Sequence, residues 1–229
     1  MTRNSRGVYK AFIVPFALFI ALLGVADLLN AIFKGHGPLF VADPIYWIFP
    51  VQTVGCGFAL ARYWKFYSPG PIRQPILTVI VAIIVFVLWI APQQWLGFEQ
   101  RLEGFNPDIF ANTPACYWTN LTLRFIRLVI VVPLLEEIFW RGFLLRYLID
   151  ERFMNVPFGT AQWESFSAVT ICFGLAHFGP DFVPALLTGA LYNGLACFTK
   201  SLTSCIIAHA LTNLLLGIYI MQTRQFGFW

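Results

Sequence analysis

Long apolar runs separated by short clusters of basic, glycine and proline residues make up most of the chain from Ala11 onward. A helix that crosses the hydrocarbon layer of a bilayer needs about 20 mostly apolar residues. Seven stretches approach or exceed that length: Ala11–Phe33, Ile45–Tyr63, Ile76–Pro92, Trp118–Leu148, Trp163–Phe178, Phe182–Phe198 and Leu202–Met221. They predict an all-α fold, a polytopic membrane helix bundle of about seven transmembrane helices (six to eight, because boundaries read from sequence drift by a few residues). The fourth stretch has room for an amphipathic or protruding turn, and the fifth is short enough to be tilted or partly re-entrant. The basic segment Met1–Lys10 precedes an apolar run that is long and lacks a small-residue cleavage site, so it reads as the start of an uncleaved first helix. The connection Gln93–Tyr117, with Gly97, Gly104, Pro107 and Pro114, reads as irregular structure. With no internal repeat, low-complexity tract or linker, residues 1–229 form one integral membrane domain. Its chemistry-bearing core lies at about 118–221.

Composition agrees with the pattern. Hydrophobic residues make up 59% of the chain and charged residues 11%, with a mean hydropathy of +0.71. Soluble domains carry about a quarter charged residues, so most of this surface does not face water. The 24 Phe and 8 Trp suit a lipid-facing surface and would aggregate a soluble one. The net charge is only +4, and the basic residues sit at segment ends, which excludes the concentrated patch expected of a nucleic-acid binder. Of the cysteines, Cys56, Cys172, Cys197 and Cys205 lie in apolar runs as small hydrophobes, Cys116 lies outside them, and no disulfide framework is legible.

Lysine and arginine mark the cytoplasmic side. Arg3, Arg6 and Lys10 precede the first helix, and Arg62, Lys65 and Arg73 separate the second from the third. The 93–117 connection instead carries Glu99, Glu103 and Asp108 against Arg101. The expected topology has a cytoplasmic N-terminus and an outer acidic loop, in the cell inner membrane.

Ionisable residues inside apolar helices are costly to place and mark functional sites. The fourth stretch carries Glu136, Glu137 and Arg141. Glu137 and Arg141 are four apart, share a face and can pair, whereas Glu136 projects about 100° away around the axis. One division gives Glu137 and Arg141 a structural ion pair and leaves Glu136 to do chemistry; alternatively all three form a charge network that only fixes packing. The fifth stretch contains Phe173 and His177, and the last contains His209 and Asn213 at the same four-residue spacing. His36, the third histidine, falls in an outer loop. At about 1.5 Å per residue, Glu136, His177, His209 and Asn213 lie at depths that let them meet in one layer.

A carboxylate, two imidazoles and an amide converging in a partly dry cavity suit hydrolysis. The carboxylate can deprotonate water, an imidazole can orient it or shuttle its proton, and His and Asn donors can stabilise an oxyanion. There is no H-E-x-x-H zinc-protease helix. Glu136, His177 and His209 could nonetheless form a zinc site. The His–Asn pair suits oxyanion binding better than metal ligation, so a metal-free site, without cofactor, is favoured.

The ordered pattern E-E-x-x-x-R, F-x-x-x-H and H-x-x-x-N, each on its own membrane segment, resembles the CPBP family of intramembrane proteases. That family includes CAAX prenyl endopeptidases of the Rce1 type and bacteriocin-processing or immunity relatives. The residues carrying the resemblance are Glu136, Glu137, Arg141, Phe173, His177, His209 and Asn213, within about Leu123 to Gly217. Leu134–Ile149 is also similar to CAAX-protease-related members linked to exosortase systems, for which the substrate need not be prenylated. The resemblance implies a peptidase that cuts near the C-terminus of a membrane-associated protein or lipidated peptide. It implies water activation by Glu136 and His177, an oxyanion site at His209 and Asn213, and support from Glu137 and Arg141. Two other classes compete: a non-enzymatic scaffold or immunity-type protein that keeps the fold, and an ion-coupled transporter. The absence of a detectable repeat counts against the transporter. Oligomeric state is not legible in the sequence.

Overall fold

The structure is a computed structural model that describes residues 3–33, 36–177 and 179–229. It is 79% helical, with no strand among the described residues. The long elements follow the apolar runs: α1 (Arg3–Phe33), then, after the short α2 (Leu39–Ala42), α3 (Ile45–Tyr63) and α4 (Pro75–Trp95). The next helical run begins at Pro114, four residues before the expected Trp118. Proline at a helix's first position forfeits only an N–H that would be unpaired anyway. This run is α5 (Pro114–Ile126), a π-helical stretch (Arg127–Val131), α6 (Val132–Glu137), a second π-helical stretch (Ile138–Leu144) and α7 (Leu145–Tyr147). It is followed by α8 (Trp163–Leu175), α9 (Phe182–Thr199) and α10 (Leu202–Thr223). Among the described residues, four helical segments are long and apolar enough to cross a membrane: Arg6–Phe33, Pro75–Trp95, Gly179–Thr199 and Leu202–Thr223. Exposed tryptophans stand at helix ends, with Trp64 just past α3, Trp95 closing α4 and Trp163 opening α8, as amphipathic rings do at a membrane interface.

The fifth stretch, read as short enough to be tilted or partly re-entrant, is helical over less of its length than the sequence indicates. Helix α8 has 13 residues, about 20 Å of rise, too short to span the hydrocarbon layer. It ends before His177, so the F-x-x-x-H histidine is not helical; Phe178, placed in this span from the sequence, lies outside the described residues. Pro180 disfavours helical backbone in the residue before it, and Gly179 takes φ +73, a conformation that only glycine adopts freely.

The chain forms two compact units. The first comprises Met1–Phe66, Arg101–Leu135 and Gly217–Trp229. Here α3 packs against α1 and α5, and Ala26, Ile48, Phe49 and Phe105 form a core. Fully buried Gln52 donates from Nε2 to Phe19 O (2.9 Å) and accepts from Arg127 Nε (2.8 Å). The segment read as irregular is pinned by local bonds. Asn106 Oδ1 caps the 3-10 turn Pro107–Phe110 by accepting from Asp108 N (3.0 Å), and Tyr46 Oη donates to Asn106 O (3.0 Å). Gly227 N donates to Arg101 O (2.9 Å), and Arg224 pairs with Asp108.

The second unit comprises Tyr67–Gln100 and Glu136–Leu216. Helix α9 packs against α4 and α8 around Val81, Val85, Tyr192, Leu195, Ala196 and Ala208. Small residues bring α8 and α9 together, as in membrane helix pairs generally. A Cβ at Gly189 would stand 3.3 Å from Phe173 Cβ and from Thr170 O. The loop before α4 is tied to the start of α10 by Ser201 Oγ donating to Pro71 O (2.7 Å) and by Arg73 N donating to Ser204 Oγ (2.9 Å). Lys200, with φ +53, donates from Nζ to Gly159 O.

Candidate active site

Glu136 and Glu137 close α6, between the two π-helical stretches. A π turn inserts one residue per turn and re-aims the side chains beyond it, and such turns cluster at functional sites. Glu137 is fully buried, and its Oε1 accepts from Arg141 Nη1 (3.0 Å) and from His209 Nδ1 (2.9 Å). Arg141 is equally buried. Its Nε donates to Asn193 Oδ1 (3.0 Å) and its Nη2 to Gly189 O (3.3 Å), and its guanidinium lies 4.8 Å from the Phe173 ring and 5.4 Å from the Tyr192 ring. Asn193 Nδ2 in turn donates to Thr170 Oγ1 (3.0 Å) and Phe166 O (3.3 Å). A buried ion pair persists only when its remaining hydrogen-bonding capacity is met, and here the main chain and Asn193 meet most of Arg141's.

The two histidines are oriented through Nδ1. His177 Nδ1 stands 2.9 Å from Phe173 O, one of the carbonyls left open at the end of α8. A carbonyl only accepts, so Nδ1 carries the proton and Nε2 of the neutral ring holds the lone pair. The Trp89 ring meets His177 edge-on at 5.9 Å, and Trp89 Nε1 is fixed by donation to Thr188 Oγ1 (3.0 Å). His209 Nδ1 likewise donates to the Glu137 carboxylate, leaving Nε2 as its working nitrogen. The His209 ring lies 5.5 Å from that of Tyr192, whose hydroxyl donates to Thr212 Oγ1 (2.8 Å).

Glu136 differs from its neighbour in having no side-chain hydrogen bond or ion pair among the described residues. It is 7% exposed, and its Oε2, like Glu137 Oε2, is buried without a hydrogen-bond partner there. Buried carboxylate oxygens are normally bonded, so an exception calls for an explanation.

The expected set is thus partly drawn together. Glu137, Arg141 and His209 form one bonded group, and Phe173 stands against both Arg141 and His177, the latter at a ring distance of 4.8 Å. The Glu137–Arg141 pair has the expected i,i+4 form. Among the described residues no hydrogen bond joins Glu136 to His177. Asn213 lies partly buried on α10, four residues beyond His209. No three His, Cys, Asp or Glu side chains among the described residues are grouped to hold a metal ion.

Sequence reasoning missed Asn193, Gly189 and Tyr192 on α9. A signal was present: Gly189 and Asn193 are four apart, and Asn193 is a lone amide in an apolar run. Asn193→Ala removes an acceptor from a buried guanidinium and two donated bonds. It is expected to lower stability by about 1.5–3 kcal/mol, read as a fall in Tm of the detergent-solubilised protein.

Fold and site together define a polytopic helical membrane protein with a buried, preorganised polar centre. Residues 117–215, somewhat under half of the chain, match the family of type II CAAX prenyl endopeptidases described as Rce1-like. That stretch contains Glu136, Glu137, Arg141, Phe173, His177, His209 and Asn213, and over it the chain is similar to that family of membrane proteases. Searches of curated proteins and of solved structures returned no significant match.

Proposed function

We propose that the protein is an intramembrane endopeptidase that hydrolyses a peptide bond near the C-terminus of a membrane-associated protein, with Glu136 as general base. The observation that carries this reading is the contrast between adjacent carboxylates: Glu137 is tied through Oε1 to Arg141 and His209, while Glu136 makes no side-chain hydrogen bond or ion pair among the described residues.

Glu136 takes a proton from a water that His177 Nε2 orients by accepting its other hydrogen. The hydroxide adds to the scissile carbonyl, and the negative oxygen is met by Asn213 Nδ2 and His209 Nε2. For Nε2 of His209 to donate, the ring must carry both protons, and Glu137 is then its counter-charge. Glu136 returns its proton to the leaving amine as the tetrahedral intermediate collapses. This glutamate mechanism needs no metal and is supported by the engagement of Glu137 with Arg141 and His209, ties that Glu136 lacks among the described residues. The family match supports a membrane-associated protein or lipidated peptide as the substrate class, and the basic residues flanking the early helices support a cytoplasmic N-terminus in the inner membrane.

The test compares membranes of cells making the native protein with membranes of cells making Glu136→Gln. A membrane-associated protein should accumulate in the variant with its C-terminal residues intact, and a synthetic peptide of its tail should be cut by the purified native protein. Unchanged C-termini across the membrane proteome would sink the reading. If only the lipidated tail peptide is cut, lipidation is part of recognition.

A further inference from the structure

We infer that the first unit contains a buried phosphate-binding site built on Arg124, with Arg127 and the indole N–H of Trp229. This site uses none of the residues assigned above to hydrolysis. Arg124 is 1% exposed, and its Nε and Nη1 have no hydrogen-bond partner among the described residues. It forms no ion pair among them; its guanidinium is boxed by aromatic rings, 4.3 Å from the centroid of Phe49, 5.3 Å from Phe105 and 5.1 Å from Trp229. Trp229 Nε1 is buried and also has no hydrogen-bond partner among the described residues.

The ring contacts stabilise a cation but accept no N–H bond in the plane of the guanidinium. Each is worth about 0.5–2 kcal/mol, whereas a buried charge lacking a counter-ion costs several. Arg127, three residues on, adds a second guanidinium 4.2 Å from the same Phe49 ring, with Nε given to Gln52. Two guanidiniums on one ring repel each other, and the three open hydrogen-bonding atoms are all donors. A water molecule could accept from them but would leave the charge unbalanced. An oxyanion meets both needs, and guanidinium donors match phosphate oxygens geometrically.

Position points the same way. Phe49 is the fifth residue of α3, about 6 Å from the start of that helix, and Phe105 and Trp229 come from the loop and tail beyond the helix ends. The box thus stands at one end of α3, the end of a bilayer-crossing helix being where it meets the phosphate-bearing headgroup layer. The shared chemistry is a phosphate group, whether from a lipid headgroup or from free phosphate.

The experiment uses full-length protein delipidated in dodecyl maltoside, a phosphate-free detergent. Tm is measured with inorganic phosphate against chloride of equal ionic strength, and with phosphatidylglycerol against diacylglycerol of the same tails. Near a hundred times its Kd, a phosphate ligand should raise Tm by roughly 5–10 °C. A rise with inorganic phosphate identifies a free anion; a rise with phosphatidylglycerol alone identifies a lipid headgroup. The rise should vanish in Arg124→Met. In Trp229→Phe, which keeps the ring and removes one N–H donor, the ligand should bind roughly 3- to 10-fold more weakly. The second variant decides the matter if Arg124→Met does not fold. No rise beyond the controls, or a titration midpoint unchanged in Trp229→Phe, overturns the proposal.

Discussion

Glu136→Gln is expected to lower the rate of peptide hydrolysis by at least 10²- to 10⁴-fold, the usual contribution of a positioned general base, while leaving the protein as stable as before or more so. The two halves of this expectation have one cause. Glutamine matches glutamate in size but cannot take a proton from water. Because Glu136 Oε2 has no hydrogen-bond partner among the described residues, the substitution breaks no known bond there and removes a buried charge that is costly to desolvate. A residue that loses function without losing stability is held for chemistry rather than for the fold. Single-turnover hydrolysis of the identified tail peptide measures the first half, and thermal unfolding in the same detergent measures the second. Full turnover would remove Glu136 from the mechanism. A large fall in Tm would place it in the structural network instead.

The helices were legible because spanning segments must be long, apolar and internally hydrogen-bonded, a constraint that reads directly from sequence. The site was legible in part. An i,i+4 spacing predicted that Glu137 and Arg141 would pair, as they do. The same rule could not show that His209 Nδ1 would close on Glu137 from α10, because a contact across 72 residues depends on how helices pack. The two π-helical stretches around α6 have no local composition signal, so the direction of Glu136 could not be taken from an ideal helix. The early end of α8 had a signal in Gly179 and Pro180, which the apolar character of the run obscured. His177 therefore sits past the helix, fixed by a bond to the Phe173 carbonyl rather than by helical geometry. The box around Arg124 drew on three separate parts of the chain, and no spacing rule joins Phe49, Phe105 and Trp229.

Glu137 and Arg141 should behave in the opposite way to Glu136. Glu137→Leu leaves the Arg141 guanidinium fully buried without its carboxylate, and also strips His209 Nδ1 of its acceptor. Breaking a buried pair from one side costs about 3–5 kcal/mol, because the surviving charge has no counter-ion. Arg141→Met should cost a similar amount. The double variant, with both charges replaced by apolar groups of similar size, should be less destabilised than the sum of the singles, with a coupling of about 1–3 kcal/mol. It should still fall short of the native protein, because Asn193 Oδ1 and Gly189 O lose their donors and His209 Nδ1 remains unpaired. Unfolding of all four proteins in one detergent measures the coupling. Strict additivity would mean that the pair is solvated in the working protein and does not hold α6 in place. Activity adds an independent readout: the double variant regains stability without regaining the acceptor at His209, so its hydrolysis rate should stay near that of Glu137→Leu. Recovery of rate along with stability would show that Glu137 serves the fold alone, and that His209 needs no partner at Nδ1 to do its work.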